Sequence, residues 1–210
     1  MIFHLHIPSI PCYAPAFIVR IGVWFLLRYR KKRYGTEFRR IKLSCGRKGA
    51  KKQYTIVDPQ DYQKLSQYDW QYYEESNGRR AIRLSGRQIF SMHREIMNAP
   101  AGFVIDHRDR NGLNNTKKNL RIATISQNNT NRGKTSKPTS SKYKGVCLIK
   151  TTGKWRAVIK HNRIYRHLGH FHNEEDAAKA YDKAAKKYHG EFAVLNFEQE
   201  TADMPKYPIP

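Results

Sequence analysis

The sequence predicts an α+β chain: a small β-rich N-terminal unit, then a ββ-turn-α unit, then a three-stranded antiparallel sheet packed on one helix. Three observations predict it. Short β-branched and aromatic runs broken by Asp58-Pro59 and Asn77-Gly78 fill residues 54 to 91. Between Phe103 and Asn129, two apolar runs flank a cluster of Asn, Asp and Gly that cannot propagate regular structure. Beyond Tyr143, three alternating runs precede a stretch whose apolar residues Ala177, Tyr181, Ala184 and Tyr188 recur at helical spacing.

In order along the chain, residues 1 to 34 form an extension in which Ala14 to Leu27 is largely apolar but interrupted by Arg20. That run is shorter than the roughly 17 to 25 residues that span a bilayer. It has neither a basic segment before it nor a small-residue cleavage site. A poorly ordered extension, a strand packed on the next unit, or translation from an upstream start is therefore favoured over a membrane anchor. From Arg28 to Gln53 there are twelve Lys or Arg and a single acid, Glu37. Such a block is either a solvated tail or a set of phosphate contacts, the second being favoured.

Residues 35 to 91 read as a β-rich scaffold. Tyr54 to Val57 is a strand, Asp61 to Gln67 a short helix, Trp70 to Tyr73 a second strand, and Asn77-Gly78 a hairpin into Ala81 to Leu84. Trp70 is read as core rather than as a base-stacking platform. Met92 to Met97 is a short helix stopped before Pro100 and Gly102. Its His93 either contacts phosphate or packs as a hydrogen-bonded side chain, with packing slightly favoured.

The unit from 92 to 133 centres on Val104-Ile105-Asp106-His107-Arg108-Asp109-Arg110-Asn111-Gly112-Leu113-Asn114-Asn115, continuing through Asn119-Leu120-Arg121 to Gln127-Asn128-Asn129. Two short strands, a tight polar loop and a helix capped by Thr124 or Ser126 are expected. Such a unit can bring Asp106 beside Asn128, so that two oxygen ligands and the His107 imidazole share one small site. A hard divalent cation held by oxygens, with a base of near-neutral pKa, is a hydrolytic site for phosphodiesters. Loops rich in Asn and Asp are also commonly turns whose side chains bond their own backbone, and the spacing does not separate the two readings.

Residues 134 to 141, rich in Ser, Thr and Lys, read as a flexible basic linker. In the unit from 142 to 197, Tyr143 to Ile149, Lys154 to Lys160 and Ile164 to Phe171 are the strands. The helix starts at the N-cap Asn173, carries Glu174, Glu175 and Asp176 in its first turn and Lys186 and Lys187 near its end, and closes at His189-Gly190. Trp155, Ala157 and Ile159 alternate with Arg156, Val158 and Lys160, so one face meets the helix and a basic face is left free, of a width that suits a major groove. Residues 198 to 210 read as a loose tail.

Charge limits the partners. Forty Lys and Arg stand against 17 Asp and Glu, a net +23 that repels itself unless a polyanion is near. The Tyr, Phe and Trp residues interleaved with the bases favour nucleic acid over a lipid surface. Cys12, Cys45 and Cys147 have neither disulfide nor metal spacing, which points to a reducing compartment and no structural zinc.

Two resemblances sharpen these readings. The Asp-His pair, Asp-x-Asn, Leu-Asn-Asn, Asn-Leu-Arg and the helical Asn resemble the HNH, or ββα-metal, nuclease motif in the form common among homing endonucleases. The likeness covers roughly residues 92 to 133 and fills every signature position. It implies that Asp106 and Asn128 hold a metal, that His107 is the general base, and that Asn119 braces the loop behind the base. Asn128 stands where many relatives have His, which favours Mg²⁺ or Mn²⁺ over Zn²⁺ or Ni²⁺.

Residues 142 to 197 resemble the APETALA2-type DNA-binding domain of plant ethylene-response factors. The likeness is carried by Lys142-Tyr143-Lys144-Gly145-Val146, Lys154-Trp155-Arg156-Ala157, Leu168-Gly169-His170-Phe171, Glu175 to Asp182 and Leu195-Asn196-Phe197. It implies that Lys144, Arg156, Lys160, Tyr165 and His167 point at DNA. Cys147 and Ile149 stand where plant members usually place arginines, and His167 where they place tryptophan, so a different target sequence is expected. Jointly the resemblances imply a metal-dependent homing endonuclease of phage or mobile-element type. It would act on double-stranded DNA in the cytoplasm of a bacterial or phage-infected host, with no membrane or protein partner. The competing readings are a non-enzymatic sequence-specific DNA-binding regulator and a nucleic-acid chaperone relying on charge.

Overall fold

The structure, a computed structural model, describes residues 16–45, 52–75, 78–134 and 139–197. The expectations for residues 1–15, the Asn77 turn, the middle of the linker and the tail fall outside them. The described chain is α+β, with small sheets and short helices.

The apolar extension forms α1 (Ala16–Tyr34), a state not among the sequence expectations. Its leucines and basic residues are good helix formers, and Lys31, Lys32 and Arg33 in the last turn suit the negative end of the helix dipole. Gly35, with φ +71°, closes the helix through its N–H to the Lys31 carbonyl. No residue of α1 is buried, while the Arg30 guanidinium lies 4.5 Å from the Phe38 ring and ties the end of the helix to the next unit. Among the described residues no helix is long and apolar enough to cross a membrane.

Next come β1 (Arg39–Leu43), β2 (Gln53–Val57), α2 (Pro59–Leu65), β3 (Gln71–Glu75), β4 (Gly78–Ser85) and β5 (Gln88–Ser91). β1 lies inside the basic block and was not expected as a strand. Its Ile41 and Leu43 alternate inward while Lys42 stays exposed. The short helix starts at Pro59, two residues before the expected Asp61, because proline is tolerated at the first helical position.

The nuclease-like segment supplies α3 (Met92–Met97), β6 (Val104–His107), β7 (Asn114–Asn115), β8 (Leu120–Ala123) and α4 (Ile125–Thr130). β6 and β8 pair antiparallel, and β7 adds in parallel to β2. Ile41, Leu43, Val57, Leu65, Trp70, Ala81, Met92 and Leu113 form one buried cluster, so residues 35–91 and 92–133 share a core. Trp70 is 1% exposed and donates from Nε1 to the Leu65 carbonyl, a core residue as read. Leu113, projecting from the polar loop, is fully buried there and contributes about 2 kcal/mol by the usual burial scale. Gly112 explains how the loop sits so close, since a Cβ would meet the Arg79 carbonyl of β4 at 1.8 Å.

The C-terminal unit has β9 (Val146–Ile149), β10 (Lys154–His161) and β11 (Ile164–Phe171) in the order β11-β10-β9, with α5 (Glu174–His189) packed on them. Asn173 caps α5 by accepting from the Asp176 N–H at 2.8 Å. Ala177, Tyr181 and Ala184 are buried against the sheet, and Ala178 and Ala185 join them. Gly145, at φ +75°, is required there: a side chain would strike the Tyr181 ring at 2.1 Å. Asp182 is buried and accepts from the backbone N–H groups of Asn196 and Phe197, which anchors the strap that ends the described chain.

Candidate functional site: a polar loop, a cavity and a basic sheet face

Asn and Asp side chains build the loop after β6 by closing turns on their own backbone. Asp109 accepts from the Asn111 N–H, the Asn114 amide and the Asn119 amide, while Asn119 accepts from the Asp109 N–H at 3.0 Å and donates to the Asn114 carbonyl at 2.8 Å. Asn119 is 1% exposed and thus sits at the centre of the loop. The Thr124 hydroxyl and Gln127 side chain form a reciprocal capping box that starts α4.

His107 ends β6. Its Nε2 lies 3.2 Å from Asn115 Oδ1, and the Asn115 amide nitrogen donates to Thr55 Oγ1 at 2.8 Å. The Thr55 hydroxyl in turn donates to the Leu113 carbonyl. This chain turns the amide oxygen of Asn115 toward the ring; because that oxygen only accepts, Nε2 carries the hydrogen and Nδ1 keeps a lone pair. Burial lowers the His107 pKa and favours the neutral imidazole, outweighing the Asn115 hydrogen bond and the charges of Asp109 and Asp106, which raise it. The His93 ring stands edge-on to it, 5.3 Å between centroids, and burial, with the charges of His107, Arg80 and Arg94, pushes His93 down to about 3.

Asp106 precedes His107 and is 4% exposed. Its Oδ2 accepts from Arg121 Nε at 2.8 Å and Nη2 at 2.6 Å, the two residues being directly opposite across β6 and β8. Its Oδ1 accepts from Asn131 at 2.8 Å, and Asn131 also donates to the His107 carbonyl. Asp106, His107, His93 and Asn128 all line one cavity of about 780 Å³. Arg79, Arg80, Arg94, Arg110 and Arg132 line it too, so its walls favour a phosphate backbone. The protein donors are a carboxylate with a lone pair remaining on Oδ1 and an amide, which fit a hard divalent cation that takes the rest of its shell from water and phosphate. Among the described residues no three His, Cys, Asp or Glu side chains cluster as a metal site.

On the C-terminal sheet, Arg156, Lys160, Tyr165 and His167 share one exposed face. Lys160 opposes Tyr165, with its ammonium 5.0 Å from the ring, and Val158 opposes His167. A bulge at Ala157/Val158, opposite Gly169 at φ +134°, brings His170 onto the same face, where its Nε2 is 3.2 Å from that of His167. Lys144 departs from the expected set. Its ammonium donates to the carbonyls of Thr130, which ends α4, and Arg132 just beyond, and burial, with Arg110 nearby, pushes its pKa down to about 8. Those bonds spend it on the join between the two units rather than on the free face.

Sequence reasoning missed Asn115, Arg121 and Asn131. A signal existed for Arg121, because pairing His107 with Leu120 around the loop puts 106 opposite 121. Nothing local marked Asn131, which reaches Asp106 only through the fold.

Comparison with known proteins bears on both parts. Residues 98–130 match the model of the HNH endonuclease family and residues 141–191 that of the AP2 domain. An uncharacterized HNH endonuclease of Acanthamoeba polyphaga mimivirus is 41% identical over 97 residues, which are 46% of this chain and 49% of that protein. The AP2/ERF and B3 domain-containing transcription repressor TEM1 of Arabidopsis thaliana is 46% identical over 63 residues, 29% of this chain and 17% of the plant protein. APETALA2-like protein 2 of Oryza sativa is 41% identical over 71 residues, 33% of this chain and 16% of its own length. The chain thus spans about half of the viral relative and less than a fifth of the plant ones.

Proposed function

We propose that this chain, which joins an HNH endonuclease segment to an AP2 domain, is a metal-dependent DNA endonuclease of the homing or mobile-element type. The observation that carries the reading is the His107 ring, its Nε2 3.2 Å from Asn115 Oδ1, in the same arginine-lined cavity as Asp106 and Asn128. His107 Nδ1 takes the proton of the attacking water as general base. Asp106 and Asn128 would hold Mg²⁺ or Mn²⁺, which when bound offsets charge on the phosphate and on the departing 3′ oxygen. The surrounding arginines fix the phosphate backbone, and Asn119 keeps the loop behind the base in shape.

Arg156, Lys160, Tyr165 and His167 address the double-stranded DNA, with a target unlike that of the plant relatives because Cys147, Ile149 and His167 change the face. A second cavity of about 410 Å³, lined by Lys134, Lys142 and Lys144, shares Arg110 with the first, which supports a continuous basic track between the two units. The test is supercoiled plasmid incubated with the full chain and Mg²⁺ or Mn²⁺, with EDTA as control. Nicked or linear DNA formed only with the cation is expected; intact plasmid under every cation would refute the endonuclease.

A further inference from the structure

Arg121 is shared between the two units. Two of its nitrogens hold Asp106, and the third, Nη1, donates to the backbone carbonyl of Glu191, in the turn that follows α5. The ring of Phe192 covers the guanidinium, 3.7 Å from Cζ. Arg121 is left 6% exposed. Around this centre the Glu191 carboxylate accepts from Arg108 at 2.6 Å, the Phe192 carbonyl from Thr130 at 3.4 Å, and the Thr130 and Arg132 carbonyls from Lys144. The contacts made by Glu191, Phe192 and Lys144 thus join the C-terminal unit to β8, which pairs with the strand of Asp106 and His107, to the loop after that strand, and to the end of α4, the helix of Asn128.

We infer that the Glu191–Phe192 turn, at the end of the AP2 match in the C-terminal unit, completes the nuclease centre, acting through Arg121 as a positioning residue that fixes the Asp106 carboxylate for its cation. The inference rests on the endonuclease reading of Asp106. A guanidinium facing water on one side would trade partners freely; roofed by an aromatic ring and tied at its third nitrogen, it keeps its fork on Oδ2. Asn131 donates to both carboxylate oxygens, at 2.8 Å to Oδ1 and 3.0 Å to Oδ2, so Oδ1, which takes none of the Arg121 fork, is the oxygen presented to a cation. Residues that orient a metal ligand in this way typically govern affinity by about 10- to 100-fold. The two units therefore act as one centre, and docking of the DNA-reading unit is part of the readiness to cut.

The test uses the full chain and variants Phe192→Ala, Phe192→Leu and Arg121→Lys, with two readouts independent of cleavage. Mn²⁺ alone is titrated by electron paramagnetic resonance, and amide hydrogen exchange is followed in residues 104–107, 120–123 and 154–161. We expect Mn²⁺ affinity to fall about 10- to 100-fold in Phe192→Ala and Arg121→Lys. Exchange in 104–107 and 120–123 should quicken at least about tenfold, while protection in 154–161 holds and shows the C-terminal sheet intact. Phe192→Leu, which keeps the apolar contact and loses the aromatic face, should fall between; it replaces Phe192→Ala as the deciding variant if that change loosens 154–161. Unchanged Mn²⁺ affinity and exchange, with 154–161 still protected, would overturn the inference. If the wild-type chain never nicks plasmid yet these shifts appear, the positioning stands and the endonuclease reading falls.

Discussion

The loop around His107 and the free face of the C-terminal sheet are both polar, yet they are built in opposite ways. In the loop, Asp109, Asn114, Asn115 and Asn119 are satisfied by one another and by Thr55 of β2, and Asn114, Asn115 and Asn119 are almost fully buried. On the sheet, Arg156 and Lys160 are exposed and Tyr165 is 70% exposed, with a cation–π contact and a His–His contact as neighbours. On the proposed reading His107 is a base, and a base must stand in place before the phosphate arrives, because reorganisation during the reaction would add to the barrier. Groups that read DNA can be ordered by the DNA itself, and rotamer changes at such surfaces are common on binding.

That contrast can be broken or sharpened by substitution. The largest effect is expected for His107→Ala, with cleavage slowed by about 10² to 10⁴ and duplex affinity retained, read from single-turnover rates beside filter binding. An unchanged rate would remove His107 from the chemistry. Asn119→Ala should cost about 2 to 4 kcal/mol of stability, since three hydrogen bonds vanish and Asp109 loses a donor, measured by denaturant melts of the full chain. Paired changes at Arg156→Ala and Lys160→Ala should leave stability within about 0.5 kcal/mol. They should also flatten the log–log salt dependence of DNA binding by about 0.9 for each phosphate no longer neutralised. A large loss of stability there would mean that the sheet face is as interlocked as the loop.

The smallest effect concerns pH. The hydrogen bond from Arg108, and the Arg108 and Arg121 charges, hold the Glu191 carboxyl below its ordinary 4.5. A carboxyl lowered on folding contributes stability above its unfolded value and loses it as pH falls through the folded one. The Arg108–Glu191 tie should therefore weaken below about pH 4.5, slightly because both groups are exposed, and Glu191→Gln should abolish that part of the acid dependence.

Much of this was readable without coordinates where the causes are local. Thr124, one of the two candidate caps, Asn173 before three acids, and the Ala177, Tyr181, Ala184 stripe each carry their element in a few residues. The Asx turns of 109 to 119 were readable for the same reason, although the chemistry they support needed a resemblance. What escaped depends on partners far along the chain. β1 was hidden because Arg39, Arg40 and Lys42 outweigh Ile41 and Leu43 until β2 pairs with it. Lys144 could be placed on a DNA face by its position in a motif, but not on Thr130 and Arg132, which belong to another unit. Asn131 and Arg121 likewise meet Asp106 only once the strands and the helix have closed.

The hydroxyl of Thr55 has a practical corollary. It sits more than fifty positions upstream of the imidazole whose tautomer it fixes through one intervening amide, on a strand that a motif search would discard. A protein engineer who excises a portable cutting module at the start of the recognisable signature would leave that hydroxyl behind, together with Trp70 of the shared core. Any graft onto a different targeting partner has to begin at β1.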